Sequence, residues 1–291
     1  MPASTARDSD LVVSLRGLHA PAAALATTAA LRGLTLAIRR GEQIALIGSS
    51  GAGKTSLLQS LSCAVTPLSG SIELFGTNPW ALSSRERQRL RGRLFLAPQV
   101  PPLPPRQRVV SAVLAGRLPS QSLAASVRSL WHPREAPLAH AALCALDMGD
   151  KLWERVDRLS GGERQRVGLA RALVADAELW LIDEPLSALD PARATQVIEQ
   201  LTEAARRSNR TLVCTLHQVE VARRCFGRIV ALRAGVIVYD GAAADFTDAQ
   251  VAALYGSREA LEIQANGSTP QDVDPSRAGG GARPPVPMIC R

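Results

Sequence analysis

Lysine is almost missing from this 291-residue chain: only Lys54 and Lys151 carry it, and arginine supplies the rest of the basic side chains behind a net charge of +8. Aromatic residues are also scarce, 3% against 46% hydrophobic residues overall, so the core has to be built from Ala, Leu, Val and Ile. A nucleic-acid surface needs basic residues gathered together and interleaved with aromatics on which bases can stack. Here the arginines are spread along the chain, apart from "RERQRLRGR" at 85–93, which reads as a solvated helix face. No nucleic acid is expected as a partner.

Paired cysteines are lacking too. Cys63, Cys144, Cys214, Cys225 and Cys290 are odd in number and show no CxxC spacing. That argues against a disulfide framework or a zinc site and for a reducing compartment. The opening "MPASTARDSD" has no apolar core of a secretory signal. The most apolar segment, residues 18–31, is Ala-rich and broken by Pro21, well short of the ~20 strongly apolar residues a membrane span needs. Any association with a membrane is expected to run through a partner.

What the chain does contain is an alternation of strands and helices. Strands are predicted at 12–15, 34–38 and 43–47, then a glycine-rich loop and a helix over 53–62, with further strands at 71–74 and 94–96. The proline-rich "APQVPPLPPR" at 97–106 is incompatible with helix or inner strand and reads as an ordered connector or hinge. Helical patterns dominate 109–175. The apolar runs at 179–182, 211–215 and 228–232 read as buried parallel strands, with helices at 191–207 and 219–225 and a hairpin partner at 236–240. The pattern is an α/β sheet interrupted by a helical insertion, about 98–175, inside a domain covering 1–263. Residues 264–291, rich in Gly, Pro and Ser, read as a disordered tail.

Three motifs carry chemistry. "GSSGAGKTS" comprises Gly48, Ser49, Ser50, Gly51, Ala52, Gly53, Lys54, Thr55 and Ser56; it follows an apolar strand and opens a helix, the context of a phosphate-binding P-loop. Its glycines let backbone N–H groups wrap a phosphate, Lys54 supplies a point charge and Thr55 offers a hydroxyl to Mg²⁺. A chain that otherwise uses arginine places one of its two lysines here, where a planar guanidinium is too broad. "LWLIDEP" sets Asp183 and Glu184 at the carboxyl end of a buried strand, the edge where ligands bind in open α/β sheets. One carboxylate suits a metal's water shell and the next an attacking water. Finally, "LSGGER" (Leu159, Ser160, Gly161, Gly162, Glu163, Arg164) puts small residues at the mouth of a helix, where bare N–H groups attract an anion.

Taken in order, "GSSGAGKTS", "LSGGERQRV", "LIDEP", "SALD" and "TLHQ" resemble the ATP-binding subunits of ABC transporters over roughly residues 11–256. The resemblance implies a RecA-like nucleotide-binding domain with an N-terminal antiparallel β part and a helical subdomain, hydrolysing ATP with Mg²⁺. It implies that Glu184 is the catalytic base and His217 the switch histidine, and that Thr55, Gln99 of the Q-loop and Asp183 serve the metal. Leu159, Ser160, Gly161, Gly162 and Glu163 match the signature, which in the family closes over ATP held by a second copy in a head-to-tail dimer. Ser187, Ala188, Leu189 and Asp190 match the D-loop.

The run "TLHQVEVARRCFGRIVALRAGVIVYDG" is most similar to subunits of phosphonate importers, as are "VLAGRL" and "SLWHPRE". That similarity implies an integral membrane permease, a periplasmic binding protein acting through it, and a peripheral place on the cytoplasmic face of the inner membrane. The chain departs from the family pattern in three places. No aromatic residue stands where the adenine is usually stacked, only His19 nearby; Glu163 replaces the usual glutamine; and "VPPLPPRQR" follows Gln99 in the stretch that faces the permease. An ABC ATPase of DNA repair or translation carries tandem domains, coiled coils or zinc-bearing insertions for which this chain has no room. An ATPase subunit of another ABC importer or of an exporter shares the same motifs and stays open as the alternative, ahead of a nucleic-acid-associated ABC ATPase.

Overall fold

The computed structural model describes residues 10–23, 28–121, 135–187 and 191–256. The expected tail, D-loop residues Ala188, Leu189 and Asp190, and most of the "SLWHPRE" run lie outside the described residues.

Strands β1 (Leu11–Pro21) and β2 (Ala29–Arg39) form an antiparallel pair, and β1 also pairs with β4 (Ser69–Leu74). Each of the three is longer than the sequence pattern suggests. Register shifts within β1, between Leu15 and Leu18 on one side and Arg16 and His19 on the other, break the strict alternation. The second sheet has the order β5-β6-β7-β3-β8-β9. It contains β3 (Gln43–Ile47), β5 (Leu94–Ala97), β6 (Leu179–Ile182), β7 (Thr211–Leu216), β8 (Arg228–Arg233) and β9 (Val236–Ala242). Neighbours in it run parallel, except that β9 folds back on β8. The turn between these two has Ala234 at φ 50° and Gly235 at φ 82°, two left-handed residues whose twist suits a tight hairpin.

The inner strands look uniformly apolar because the sheet is covered on both faces, and their alternation is visible only in which core each residue joins. Ile44, Leu46, Leu179 and Leu181 face the antiparallel sheet and helix α1 (Lys54–Leu61). Ala45, Ile47, Trp180 and Ile182 face the other core, which gathers the helical insertion and the helix over 191–207. The insertion is less continuously helical than its pattern suggests. It holds α3 (Val109–Leu114) with a 3-10 turn after it, α4 (Ala136–Cys144), and α5 (Gly161–Val174). The arginine-rich run forms α2 (Ser84–Arg91), closed by a Ser83–Glu86 capping box and burying only Leu90. Helices α6 (Pro191–Arg207) and α7 (Val219–Cys225) fall where predicted. Helix α8 (Asp248–Tyr255), capped by Thr247, has so weak an amphipathic pattern that the sequence gives no sign of it.

Some arginines are structural. Arg40, from the turn after β2, donates to Glu178 at 2.6 Å, and Arg93, at the foot of β5, donates to the same carboxylate at 2.5 Å. The Arg93 guanidinium, followed by that of Arg40, outweighs partial burial and holds the Glu178 carboxyl down to about 2. This clamp joins the two sheets ahead of β6. Because the folded value lies below the ordinary 4.5, its contribution is complete above pH 4.5 and lost as pH falls from there toward 2. Glu178→Gln is therefore expected to cost about 1 kcal/mol at neutral pH, a figure discounted for the exposure of all three groups. The difference from wild type should shrink as denaturation is measured at pH 4, 3 and 2.5.

Candidate active site

Parallel register gathers the site. Ile47 pairs with Leu216, Ile182 with Cys214 and Ala97 with Ile182, so β3, β7, β6 and β5 finish along one edge. The residues that follow them are Gly48, His217, Asp183 and Gln99.

The loop from Gly48 to Gly53 turns back into α1. A side chain at Gly48 would bring its Cβ within 2.3 Å of the Leu232 carbonyl oxygen. At Gly53, the N-cap of α1 with φ 104°, it would meet Leu31 at 2.8 Å. Both positions therefore require glycine, one for close approach and the other for its left-handed backbone as well. The β8–β9 turn braces the loop: Gly235 N–H donates to the Ala52 carbonyl at 3.0 Å, while its own carbonyl accepts from Arg32 of β2 at 2.8 Å. Lys54 is buried, and its Nζ donates to the carbonyls of Gly48 at 2.7 Å and Ser49 at 3.2 Å. Thr55 is exposed and Ser56 buried.

Glu184 lies at the centre. Its Oε1 is 2.6 Å from His217 Nε2 and 3.9 Å from Lys54 Nζ, and its Oε2 accepts from Gln99 Nε2 at 2.8 Å. Three residues, from beyond the ends of β5 and β7 and from the start of α1, thus meet on one carboxylate just past the end of β6. Gln99, expected beside the metal ligands, is bonded through its amide nitrogen to Glu184, which leaves its carbonyl oxygen as the group able to reach a cation. Glu184 has φ 44°, a left-handed backbone that costs a non-glycine residue of order 1–3 kcal/mol.

Thr215, which the sequence reading passed over, holds this conformation in place. Its buried Oγ1 accepts from Glu184 N–H at 2.7 Å and donates to Asp183 Oδ1 at 2.8 Å. The available signal was a polar residue two positions before His217, at the end of a strand buried along its whole length. Asp183 is itself 5% exposed, and among the described residues its carboxylate has Thr215 as its one hydrogen-bond donor and no ion-pair partner. A buried charge with so little compensation calls for a cation.

The signature sits apart, at the start of α5. The sequence suggests fully bare N–H groups there, but a capping box closes part of the first turn: Ser160 N–H donates to Glu163 at 2.8 Å, and Glu163 N–H to Ser160 Oγ at 3.3 Å. The Ser160 N–H holds the Glu163 carboxyl below the usual carboxylate range. Glutamate therefore does the capping work that glutamine could do, and the N–H groups of Gly161 and Gly162 are left for an anion. Leu159 is buried beneath them. Among the described residues no hydrogen bond joins the signature, residues 159–163, to the loop over 48–53. Ser187 is exposed, its N–H 3.4 Å from the Glu184 carbonyl. His19 lies on β1 beside Gly33, and no aromatic side chain replaces it as a stacking platform among the residues described there.

A phosphate loop, a strand-end Asp-Glu pair and a separate glycine signature on one P-loop sheet define a nucleotide-hydrolysing cassette. Residues 31–187 match the ABC transporter family, and the chain belongs to it. It is 58% identical over 281 residues to "Phosphonates import ATP-binding protein PhnC 2" of Albidiferax ferrireducens, covering 96% of this chain and 99% of that protein. A Polaromonas protein named "Phosphonates import ATP-binding protein PhnC" is 55% identical over 93% of this chain and 96% of its own length. Among solved structures, the dimeric post-hydrolysis state of the ATP-binding cassette MJ0796 bound to ADP and Pi superposes with a TM-score of 0.68 at 25% identity, covering 80% of this chain and all of that one.

Replacing Thr215 by Val keeps the shape but removes both hydrogen bonds. We expect a loss of about 1–3 kcal/mol in stability from the orphaned Glu184 N–H and Asp183 carboxylate. Turnover, read by phosphate release, should fall at least ~10-fold, less than the ~10²–10⁴ of losing a general base outright, because Glu184 itself is kept. Thr215→Ser should keep most of both, and equal turnover in the Val variant would show that the bridge is dispensable.

Proposed function

We propose that this chain is the ATP-hydrolysing subunit of an importer for phosphonate or a related oxyanion. It works as a head-to-tail pair of copies beneath an integral membrane permease, at the cytoplasmic face of the inner membrane, with cargo delivered by a periplasmic binding protein. The observation that carries the reading is the meeting of Lys54, Gln99, His217 and Thr215 around the Asp183–Glu184 pair. The near full-length likeness to relatives named for phosphonate import supports the choice of cargo. No helix among the described residues is long and apolar enough to cross a membrane, which is consistent with a separate permease.

In this reading the backbone of Gly48, Ser49, Ser50, Gly51, Ala52 and Gly53 wraps the β-phosphate and Lys54 turns its ammonium from the loop carbonyls to the β- and γ-phosphates. Thr55, Gln99 and Asp183 present hard oxygen donors of the kind Mg²⁺ prefers, and the poorly compensated Asp183 carboxylate fits a cation there. When bound, the ion spreads the charge of the phosphate oxygens. Glu184 accepts a proton from a water as its oxygen bonds to the γ-phosphorus and the bond to the β,γ-bridging oxygen breaks, releasing ADP and phosphate. His217, 2.6 Å from Glu184, is placed to orient that carboxylate and to contact the γ-phosphate. Ser160, Gly161 and Gly162 of the second copy complete the cradle.

Glu184→Gln keeps size and reach but cannot take the proton. Hydrolysis should fall by ~10²–10⁴ while ATP binding survives. Size-exclusion chromatography should then show a dimer with Mg-ATP that is missing with ADP or without nucleotide. Turnover above about a tenth of wild type would remove Glu184 as the base.

The permease is assigned to an open groove of about 670 Å³ beside the signature. Arg106, Arg108, Arg155 and Arg158 line it together with Asp150, Glu154 and Trp153, which is 55% exposed, so the lining keeps an excess of positive charge. Its floor joins the run after Gln99 to the run before Leu159 through Val156 N–H to Gln107 carbonyl and Asp157 N–H to Pro105 carbonyl. An acidic cytoplasmic segment with one apolar anchor suits this lining. Trp153→Ala should lower ATP-driven uptake in reconstituted vesicles several-fold with basal hydrolysis by the isolated subunit unchanged. Equal loss of both activities would contradict the assignment.

A further inference from the structure

Gly168 is out of place by helix propensity. It stands in the interior of α5, where glycine is disfavoured relative to alanine, and it has no left-handed backbone to justify it. The reason is steric. A Cβ there would lie 2.6 Å from Pro101 Cγ and 2.8 Å from Pro101 Cβ, closer than two carbons can approach. Pro101 belongs to the proline-rich run after Gln99, and α5 offers it a seat with no side chain in the way.

The run is pinned on either side of that seat. The Ala97 carbonyl accepts from Asp183 N–H at 2.8 Å. Leu103 N–H donates to the Pro101 carbonyl at 2.8 Å, and the Arg171 guanidinium, one turn beyond Gly168 on α5, reaches the Pro102 carbonyl at 3.5 Å. Prolines at 98, 101 and 102 fix φ along this stretch, so it behaves as a stiff strap. Gln99 lies on it between the two pins, with its amide on Glu184 at 2.8 Å. The same α5 is capped by Ser160, eight residues before Gly168, so the signature and the seat belong to one continuous helix.

We propose that Gly168 and Pro101 are positioning residues, whose side-chain-free seat on α5 sets the reach of Gln99 to Glu184. The proposal rests on the reading of Glu184 and Gln99 given above and adds the contact that regulates them. Neither Gly168 nor Pro101 touches reacting atoms. Both act through the strap.

The test is a double-mutant cycle on the full chain, following phosphate release, KM for ATP and thermal unfolding. Gly168→Ala should lower kcat by ~5- to 50-fold, the scale of a displacement below about 1 Å in a positioned group. KM for ATP should stay within about twofold and Tm within a few degrees, because alanine favours the helix that the contact strains. Gln99→Ala alone should also lower kcat, and adding Gly168→Ala to it should cost nothing further, since groups acting through one contact are non-additive. Pro101→Gly loosens the seat without inserting an atom and should show the same loss and the same non-additivity, so the result does not hang on one variant folding. Wild-type turnover in both single variants, or losses that multiply with that of Gln99→Ala, would overturn the proposal. Glu184→Gln separates the two levels: if it abolishes hydrolysis and the cycle is multiplicative, only the strap is wrong. If Glu184→Gln or Gln99→Ala leaves turnover intact, the site reading fails and takes the strap with it.

Discussion

Thr215 Oγ1 holds two neighbours that want to separate. The hydroxyl donates to the carboxylate of Asp183 and accepts the N–H of Glu184, whose backbone is left-handed. A chain leaving a parallel strand would ordinarily run straight on in extended form. The threonine instead turns it sharply, so that successive carboxylates point to different tasks, one retained in the protein and the other delivered to the edge. That bond is possible only because β6 and β7 are neighbours in register, Ile182 opposite Cys214. The same parallel pairing carries the phosphate loop and the Gln99 segment to the same edge. The geometry of the candidate site is therefore a property of sheet register before it is a property of any side chain.

Much of this was legible in the sequence, for physical reasons that differ by element. The loop over 48–56 is readable because a phosphate cradle tolerates few residue types, and its boundaries follow from the strand before it and the helix after it. The buried strands at 179–182, 211–216 and 228–233 are readable because a sheet covered on both faces demands unbroken apolar runs. Longer β1 and β2 were not, since Arg16, Gly17 and Arg32 interrupt the alternation at bulges that pairing accommodates. Thr215 was hidden in plain view, as a β-branched residue in a strand needs no further explanation until its hydroxyl is seen to be satisfied by two site residues. Gly168 was hidden for the opposite reason: a single glycine in a helix announces nothing until the proline opposite it is known.

The scarcity of lysine sorts the basic residues by task. Guanidinium groups clamp Glu178 between Arg40 and Arg93, and Arg228 pairs with both Glu42 and Asp240. These forked contacts suit arginine. Lys54, in a buried niche bounded by loop carbonyls, is one place where a compact ammonium is required. The three arginines are matched by three carboxylates, Glu178, Glu42 and Asp240, so this bracing adds nothing to the net charge.

The hydrogen bonds of Gly235 tie the phosphate loop and β2 to the turn between β8 and β9. Lys54 leaves the ribosome early, yet the brace behind its loop is encoded near the far end of the domain. At typical elongation rates the nascent loop waits on the order of ten seconds or more for that brace to emerge. A chain truncated before the hairpin would retain the nucleotide-binding motif in its sequence and lack the scaffold that shapes it. Synthesis thus has a built-in order: the cassette acquires a formed phosphate cradle only when nearly all of its sheet has been made.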